Sequence, residues 1–484
     1  MRLLEKGDAA GAQTRFSALF QSHPRDFQLA CQIGSALDMS GRHADATSWY
    51  QRSLELNSQY APAKNNLALN YAARGEFAKA LPWLDGLTKS KPADARAWYN
   101  LGLVDLELGR FAGAALAFQR VRDLDPKNRD AVLRLAYAHL RAGHRVQGIS
   151  AIRLLATLPG DRRQNALQTA QVLNSARLYR EAAKQAEATP AASRSPELEL
   201  EQATALFHLG EFRHAAETLA KSIPPRGRER DYHTLAGSSA ALSGDLPSAV
   251  QSMQAAVSAA PRDPEPYYRL ALVFVQGGRR EEARNVVDAG LEQLPHSALL
   301  WYAKAITLLD WGKDEDVIAS LDRSVALDPK GADAWTLSGE IEGRVGEYDK
   351  ALRAFQTALK SGAGSETAVK YAELLIRLER YDDAEKVLQR ELKEGAATAH
   401  VYRGLGRLYK ARREYDQAFD ALSRAVKLDP ENSDSHFQLA ETLRWLGRTE
   451  EARREYTLAS GKKKAAAEAA RLLRRVIVPA QGGM

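Results

Sequence analysis

The feature that most constrains this chain is a period. Count Ala95 as position 1: Trp98, Leu101, Gly102, Gly109, Phe111, Ala114, Phe118, Val121 and Pro126 then fall at positions 4, 7, 8, 15, 17, 20, 24, 27 and 32. The same frame returns 34 residues earlier as Leu67, Ala68, Gly75, Phe77, Ala80, Leu84, Leu87 and Pro92. Far downstream it yields Trp335, Gly339, Gly346, Tyr348, Ala351, Phe355 and Ala358, then Tyr402, Leu405, Gly406, Tyr415, Ala418, Leu422, Ala425 and Pro430. Frame starts lie at Phe27, Ala61, Ala95, Arg129, Arg163, Pro196, Arg230, Pro264, Ala298, Ala332, Ser365, Ala399 and Ser433. The repeat at Arg163 is the most degenerate, with Thr169 and Arg177 in place of Leu and Gly. A period of this length means one supersecondary unit stacked on copies of itself.

The spacing identifies the unit. Positions 4, 7, 8 and 11 form one stripe of an amphipathic helix, and positions 17, 20, 24 and 27 form the same stripe on a second. Gly at position 15 permits a tight turn between the helices. Small residues at 8 and 20 let the helices approach closely. Pro at 32, as in the Leu-Asp-Pro triplets at 124–126, 327–329 and 428–430, stops the second helix. One hairpin cannot bury both faces, so each must stack on its neighbours.

This pattern, W-x2-L-G…A-x3-F…P, resembles the tetratricopeptide repeat (TPR) over nearly the whole chain. The resemblance implies an all-α fold of tandem helix-turn-helix repeats in a right-handed superhelical solenoid. The expected organisation is a partial first repeat (1–26), an N-terminal array (27–195), a C-terminal array (196–464), a basic capping helix (465–478) and a disordered tail (479–484). The stretch 157–231, rich in connections such as Leu158-Pro159-Gly160 and Ile223-Pro224-Pro225, is expected to change the superhelix curvature, with a hinge as the alternative.

Chemistry is sparse. The single cysteine, Cys31, excludes an internal disulfide framework and any Cys-based zinc site. The closest histidine pairs, His139/His144 and His208/His214, lack the i, i+4 spacing of a helical metal site. No phosphate-binding loop, dinucleotide fingerprint, nucleophile elbow or zinc-protease motif occurs. The expectation is a non-enzyme that needs no cofactor and no metal.

In TPR proteins the first helix of each repeat lines a concave groove where partner peptides bind, which implies a protein partner here. Positions 2, 5, 6 and 9 point into it. The candidate groove residues are Asn65, Asn66, Tyr99, Asn100, Arg134 and Tyr137, then Tyr268, Arg269, Tyr302, Arg403 and Arg407. An Asn amide can hold a partner's main chain through donor and acceptor together, and Arg can fork to a carboxylate. Of the two-carboxylate clamp of related co-chaperones the chain keeps only Asn100 and Arg134. Asn65, Leu69 and Asp130 stand elsewhere in it, which puts a chaperone tail in doubt.

The formal charge is +7, and from Arg444 onward there are ten Lys/Arg against four Glu. Most of the excess is thus terminal, in a basic cap of Lys462, Lys463, Lys464, Arg471, Arg474 and Arg475. Glu197, Glu201, Asp231, Glu265, Glu340, Glu366 and Glu373 interrupt any basic stripe along the groove, so nucleic acid is not an expected partner. The cap is expected to be a solvated end, with docking on an anionic membrane as the less favoured reading.

MRLLEKGDAAGAQTRF has no apolar h-region, so the chain as it stands reads as cytoplasmic. Met1 falls at position 9 of a repeat, however, which leaves room for an upstream signal and a periplasmic or secreted location. The favoured function is a protein-interaction scaffold that assembles a complex. The alternatives are a periplasmic subunit of a bacterial envelope or polysaccharide-export apparatus, and a regulator that recruits substrates to a separate enzyme. Oligomeric state is not legible.

Overall fold

A computed structural model describes residues 9–158, 161–309 and 312–459. All of their regular structure is helical, and the chain divides into two compact units, Met1–Gly210 and Glu211–Met484.

The first unit contains α1 (Ala9–Ser22), α2 (Phe27–Met39), α3 (His43–Leu56), α4 (Ala61–Ala73), α5 (Phe77–Ser90), α6 (Ala95–Glu107), α7 (Phe111–Leu124), α8 (Arg129–Arg141), α9 (Arg145–Thr157), α10 (Arg162–Ser175), α11 (Tyr179–Glu187) and α12 (Pro196–His208). The second contains α13 (Phe212–Ala220), α14 (Glu229–Ser243), α15 (Leu246–Ala259), α16 (Pro264–Gln276), α17 (Arg280–Gln293), α18 (Ala298–Leu308), α19 (Asp314–Leu327), α20 (Ala332–Val345), α21 (Tyr348–Lys360), α22 (Ser365–Arg377), α23 (Tyr381–Lys393), α24 (Ala399–Ala411), α25 (Tyr415–Leu428), α26 (Ser433–Trp445) and α27 (Thr449–Ala459). The first helix of each hairpin begins at frame position 1 throughout, except that α10 and α14 start one residue early.

Local chemistry sets these bounds. The residue before the frame start caps the helix: Asp26, Asp94, Asn128, Ser195, Asp263, Ser297, Thr398 and Asn432 each accept from a backbone N–H of the first turn. Position 15 is left-handed in most hairpins, with φ of 74° at Gly41, 69° at Gly109 and 90° at Gly346, Gly312 being an exception. The frame imposes the same turn where glycine is missing: Arg177, Glu379 and Arg413 sit at φ of 58°, 57° and 64°. The two nine-residue second helices, α11 and α13, both fall within the irregular stretch 157–231.

Position 8 explains how the two helices of a hairpin close on each other. A Cβ at Gly102 would lie 2.7 Å from the Phe118 ring, one at Gly34 2.7 Å from Tyr50, and one at Gly339 2.9 Å from Phe355. Each pair joins position 8 to position 24. The glycine lets a large ring bury completely against backbone, and burying such a side chain stabilises by roughly 2–3 kcal/mol.

Within each unit the first helices approach the first helices of adjacent hairpins, as α2 does α4 and α22 does α24. The second helices make no comparable approach to one another. The first helices therefore line the inner side of each curve, and position 5 is buried in several of them, at Cys31, Tyr268, Thr336 and Val369.

Candidate functional site

The inner side of the first unit is built on α2, α4, α6 and α8. Asn66 Nδ2 donates to Ser35 Oγ at 3.1 Å, and Asn100 Nδ2 to Asn65 Oδ1 at 2.9 Å. Arg134 Nε donates to the Tyr99 hydroxyl at 2.9 Å and to Asp130 Oδ2 at 2.7 Å. Its guanidinium also lies 5.7 Å over the Tyr99 ring, and the Tyr99 hydroxyl donates to Asp130. Tyr137 accepts from Arg141 Nη1 at 3.1 Å. Five of the six N-terminal candidates thus form short contacts between successive hairpins, and Tyr137 is bonded within its own helix. Leu69, Leu103 and Tyr137 share frame position 9 beside them, and Leu69 is 41% exposed.

A polar node that the frame did not single out lies beneath. Asn70, 1% exposed, donates to Asp38 Oδ1 at 2.6 Å and to the His43 carbonyl at 2.8 Å, and accepts from Thr47 at 2.7 Å. Tyr50 donates to the other Asp38 oxygen at 2.8 Å. Nearby, burial pushes the Cys31 thiol up to about 11, against the small opposing effect of the Asn66 amide, so it stays protonated and unreactive at neutral pH.

The second unit uses the same frame positions differently. Tyr268 is buried, at 4% exposure, and its ring lies 6.1 Å from that of Tyr302. Burial drives the Tyr268 hydroxyl well above the usual phenol range. Arg269 bonds Glu265 at 2.7 Å on its own helix. Farther on, charges take over. Lys370 pairs with Glu340 and, at 3.4 Å, with Glu366. Arg407 pairs with Glu373 and, at 2.7 Å, with Asp434, which also lies 3.2 Å from Arg403. Lys410 donates to Gln438 at 2.8 Å. Asp434 was absent from the sequence candidates. The clue was its place at position 2 of the repeat after Arg403 and Arg407. Lys462, Lys463, Lys464, Arg471, Arg474 and Arg475, and with them the capping helix and tail, lie outside the described residues.

Elsewhere in the second unit a cleft of about 780 Å³ lies between α13, α14 and α15. Its lining includes Ala236, Ala240, Arg213, Glu217 and His233. Among the described residues no group of three His, Cys, Asp or Glu side chains is placed to hold a metal, and no helix is long and apolar enough to cross a membrane.

Comparison with known proteins agrees with the geometry. One tetratricopeptide-repeat profile matches residues 1–61, 65–129, 336–399 and 369–433, and a second matches 105–172, 240–307 and 409–476. The chain is 28% identical over 99 residues to the cell division cycle protein 27 homolog of Caenorhabditis elegans, covering 20% of this chain and 13% of that one. It is 22% identical over 353 residues to cellulose synthase operon protein C of Pseudomonas fluorescens (strain SBW25), covering 68% of this chain and 28% of that one. The chain thus spans less than a third of the length of these relatives. Among solved structures, yeast Tom70 aligns over 87% of this chain and 96% of its own, at 16% identity and a TM-score of 0.45. Hairpin frame, left-handed turns and profile matches agree: the chain belongs to the tetratricopeptide repeat family.

Proposed function

We propose that the chain is a non-catalytic scaffold that captures an extended segment of a partner protein along the inner face of α4, α6 and α8, and so assembles a complex. TPR proteins generally mediate protein–protein interactions. The observation that carries the reading for this chain is the row of amides at Asn65, Asn66 and Asn100, held at fixed spacing beside the Leu69, Leu103 and Tyr137 side chains. An amide offers four hydrogen-bonding sites. Bonds to a neighbouring hairpin orient each amide, one at Asn65 and Asn100 and two from the Asn66 nitrogen, and leave capacity for a partner's main chain, while position 9 offers apolar contact. Several hairpins contacting one segment add avidity without any single strong contact.

The test is capture of partners by wild type and by Asn100→Ala/Arg134→Ala, compared by mass spectrometry after pull-down. Loss of a protein from the set, with helical circular dichroism unchanged, supports the reading. An identical set from a folded double variant overturns it.

The match to cellulose synthase operon protein C favours a second reading, in which the scaffold serves a polysaccharide apparatus of the bacterial envelope. Fractionation of native cells separates the two. Recovery from the periplasm together with polysaccharide-synthesising enzymes supports the second reading, and recovery with cytoplasmic partners supports the first.

A further inference from the structure

Frame position 4 carries a repeated device. Trp98 Nε1 donates to the carbonyl of Pro92 at 3.0 Å, Trp301 to that of Pro295 at 3.0 Å, and Trp335 to that of Pro329 at 3.0 Å. The Tyr267 hydroxyl does the same to Pro261 at 3.2 Å. Each ring thereby ties a first helix to the proline that closes the preceding hairpin. In the hairpin of α26 and α27 that position is His436, 4% exposed, with Nε2 at 2.9 Å from the Pro430 carbonyl. A carbonyl oxygen only accepts, so Nε2 must carry a proton to make the contact the indoles make.

The other ring nitrogen faces a second acceptor. Nδ1 lies 2.5 Å from Glu455 Oε2 on α27. An ionised carboxylate also only accepts, so Nδ1 donates as well. A ring that donates from both nitrogens is an imidazolium. We infer that His436 is a pH-operated latch: charged, it ties α27 to α26 and to Pro430 at once, and its deprotonation leaves one N–H for two acceptors, so that one of the two contacts becomes a meeting of lone pairs and the tie between α27 and the Pro430 turn is broken.

The charged groups that face the ring come from two directions, Glu455 on α27 and Asp429 in the connection before α26. Burial pulls the imidazole pKa down. The Glu455 and Pro430 hydrogen bonds and the two negative charges outweigh it, and the net displacement is upward. Stabilisation is then complete below the ordinary imidazole value of about 6.5 and is lost as pH rises through the higher folded value. His139, His208 and His233 are moved the other way, chiefly by burial. A pH rise that leaves those rings neutral throughout acts on His436 alone of these four.

The test uses the full chain labelled with 13C-histidine. His436→Gln assigns the His436 resonance, and amide hydrogen exchange of α27 is followed from pH 5.5 to 8.5 after correction for intrinsic rates. The expected result is a His436 midpoint above about 6.5, with α27 protection falling several-fold through that midpoint. In Glu455→Gln the amide can either donate to or accept from Nδ1, so α27 protection should become flat with pH. A His436 midpoint at or below that of free imidazole, or α27 protection that does not change across it in wild type, overturns the latch. A pH dependence that persists in folded Glu455→Gln also overturns it. The wild-type titration decides the matter by itself if that variant does not fold.

Discussion

The inner faces of the two units occupy the same frame positions and couple their hairpins by different chemistry. In the first unit, Ser35–Asn66, Asn65–Asn100 and Tyr99–Arg134 join α2, α4, α6 and α8 through amides, hydroxyls and a single guanidinium. In the second, Glu340–Lys370, Glu373–Arg407 and Asp434–Arg407 join α20, α22, α24 and α26 through charge. Hairpins stack by packing each first helix against the helices of the hairpin before it, and the polar side chains where first helices meet are one part of that contact. What fills the meeting place is therefore free to set how each face responds to salt and to partners. The first face carries the Arg134–Asp130 pair, joins its hairpins mainly through uncharged groups and presents amides. The charged face is already engaged with itself, so a charged partner there must displace an internal counterion.

The sharpest way to bound this difference is to show where it stops. The hairpin interior is the same in both units, with Gly102 against Phe118 and Gly339 against Phe355. Gly102→Ala and Gly339→Ala should each destabilise by about 3 kcal/mol, the upper end for overpacking, because the added methyl meets a buried ring. Denaturant unfolding checks this. A cost confined to one unit would mean that the units differ in their cores and not only on their inner faces.

The faces themselves separate under salt. Asn70→Ala removes two donors and an acceptor from a node around a buried side chain and leaves Asp38 short of a partner, at a cost of about 2 kcal/mol. Ionic strength should hardly change that number. Asp434→Asn weakens the contacts to Arg403 and Arg407 for about 1 kcal/mol at low salt, and part of that should vanish at roughly 0.5 M salt, since partly exposed pairs are partly screened. Hydrogen exchange on α2–α4 and on α24–α26 reads the two effects separately. Equal salt dependence at both sites would erase the distinction.

Much of this architecture was legible because it is written locally. The proline at position 32, the glycine at position 15 and the small residue at position 8 each act within one hairpin, and the 34-residue frame repeats them in phase. The inner face was only half legible. Its positions follow from helical geometry, but its pairings join residues about a repeat apart, and a single sequence does not say which opposite charges meet. Arg403 and Arg407 read as cations waiting for a carboxylate, and the structure places Asp434 against both. Tyr268 read as a surface residue, and the neighbouring first helix buries it. The Asn70 node was missed because an Asn at position 10 carries no pattern until Asp38 and the His43 carbonyl are seen beside it.

The smallest effect concerns the turns, where the frame overrides side-chain preference. Arg177 in the first unit and Glu379 and Arg413 in the second stand at position 15 with positive φ, the conformation glycine supplies in most repeats. A side chain there costs roughly 1–2 kcal/mol through the clash of Cβ with the following carbonyl. Replacement by glycine relieves that clash and gives back part of the gain as unfolded-chain entropy, about 0.4–1 kcal/mol. Arg177→Gly, Glu379→Gly and Arg413→Gly should therefore each stabilise by about 0.5 kcal/mol, with no salt dependence and equally in both units. Thermal unfolding at two ionic strengths checks all three. Should Arg413→Gly gain stability only at high salt, the turn beside the charged face would be coupled to the ion pairs on α24, and the charged chemistry would reach farther into the hairpin than its inner face.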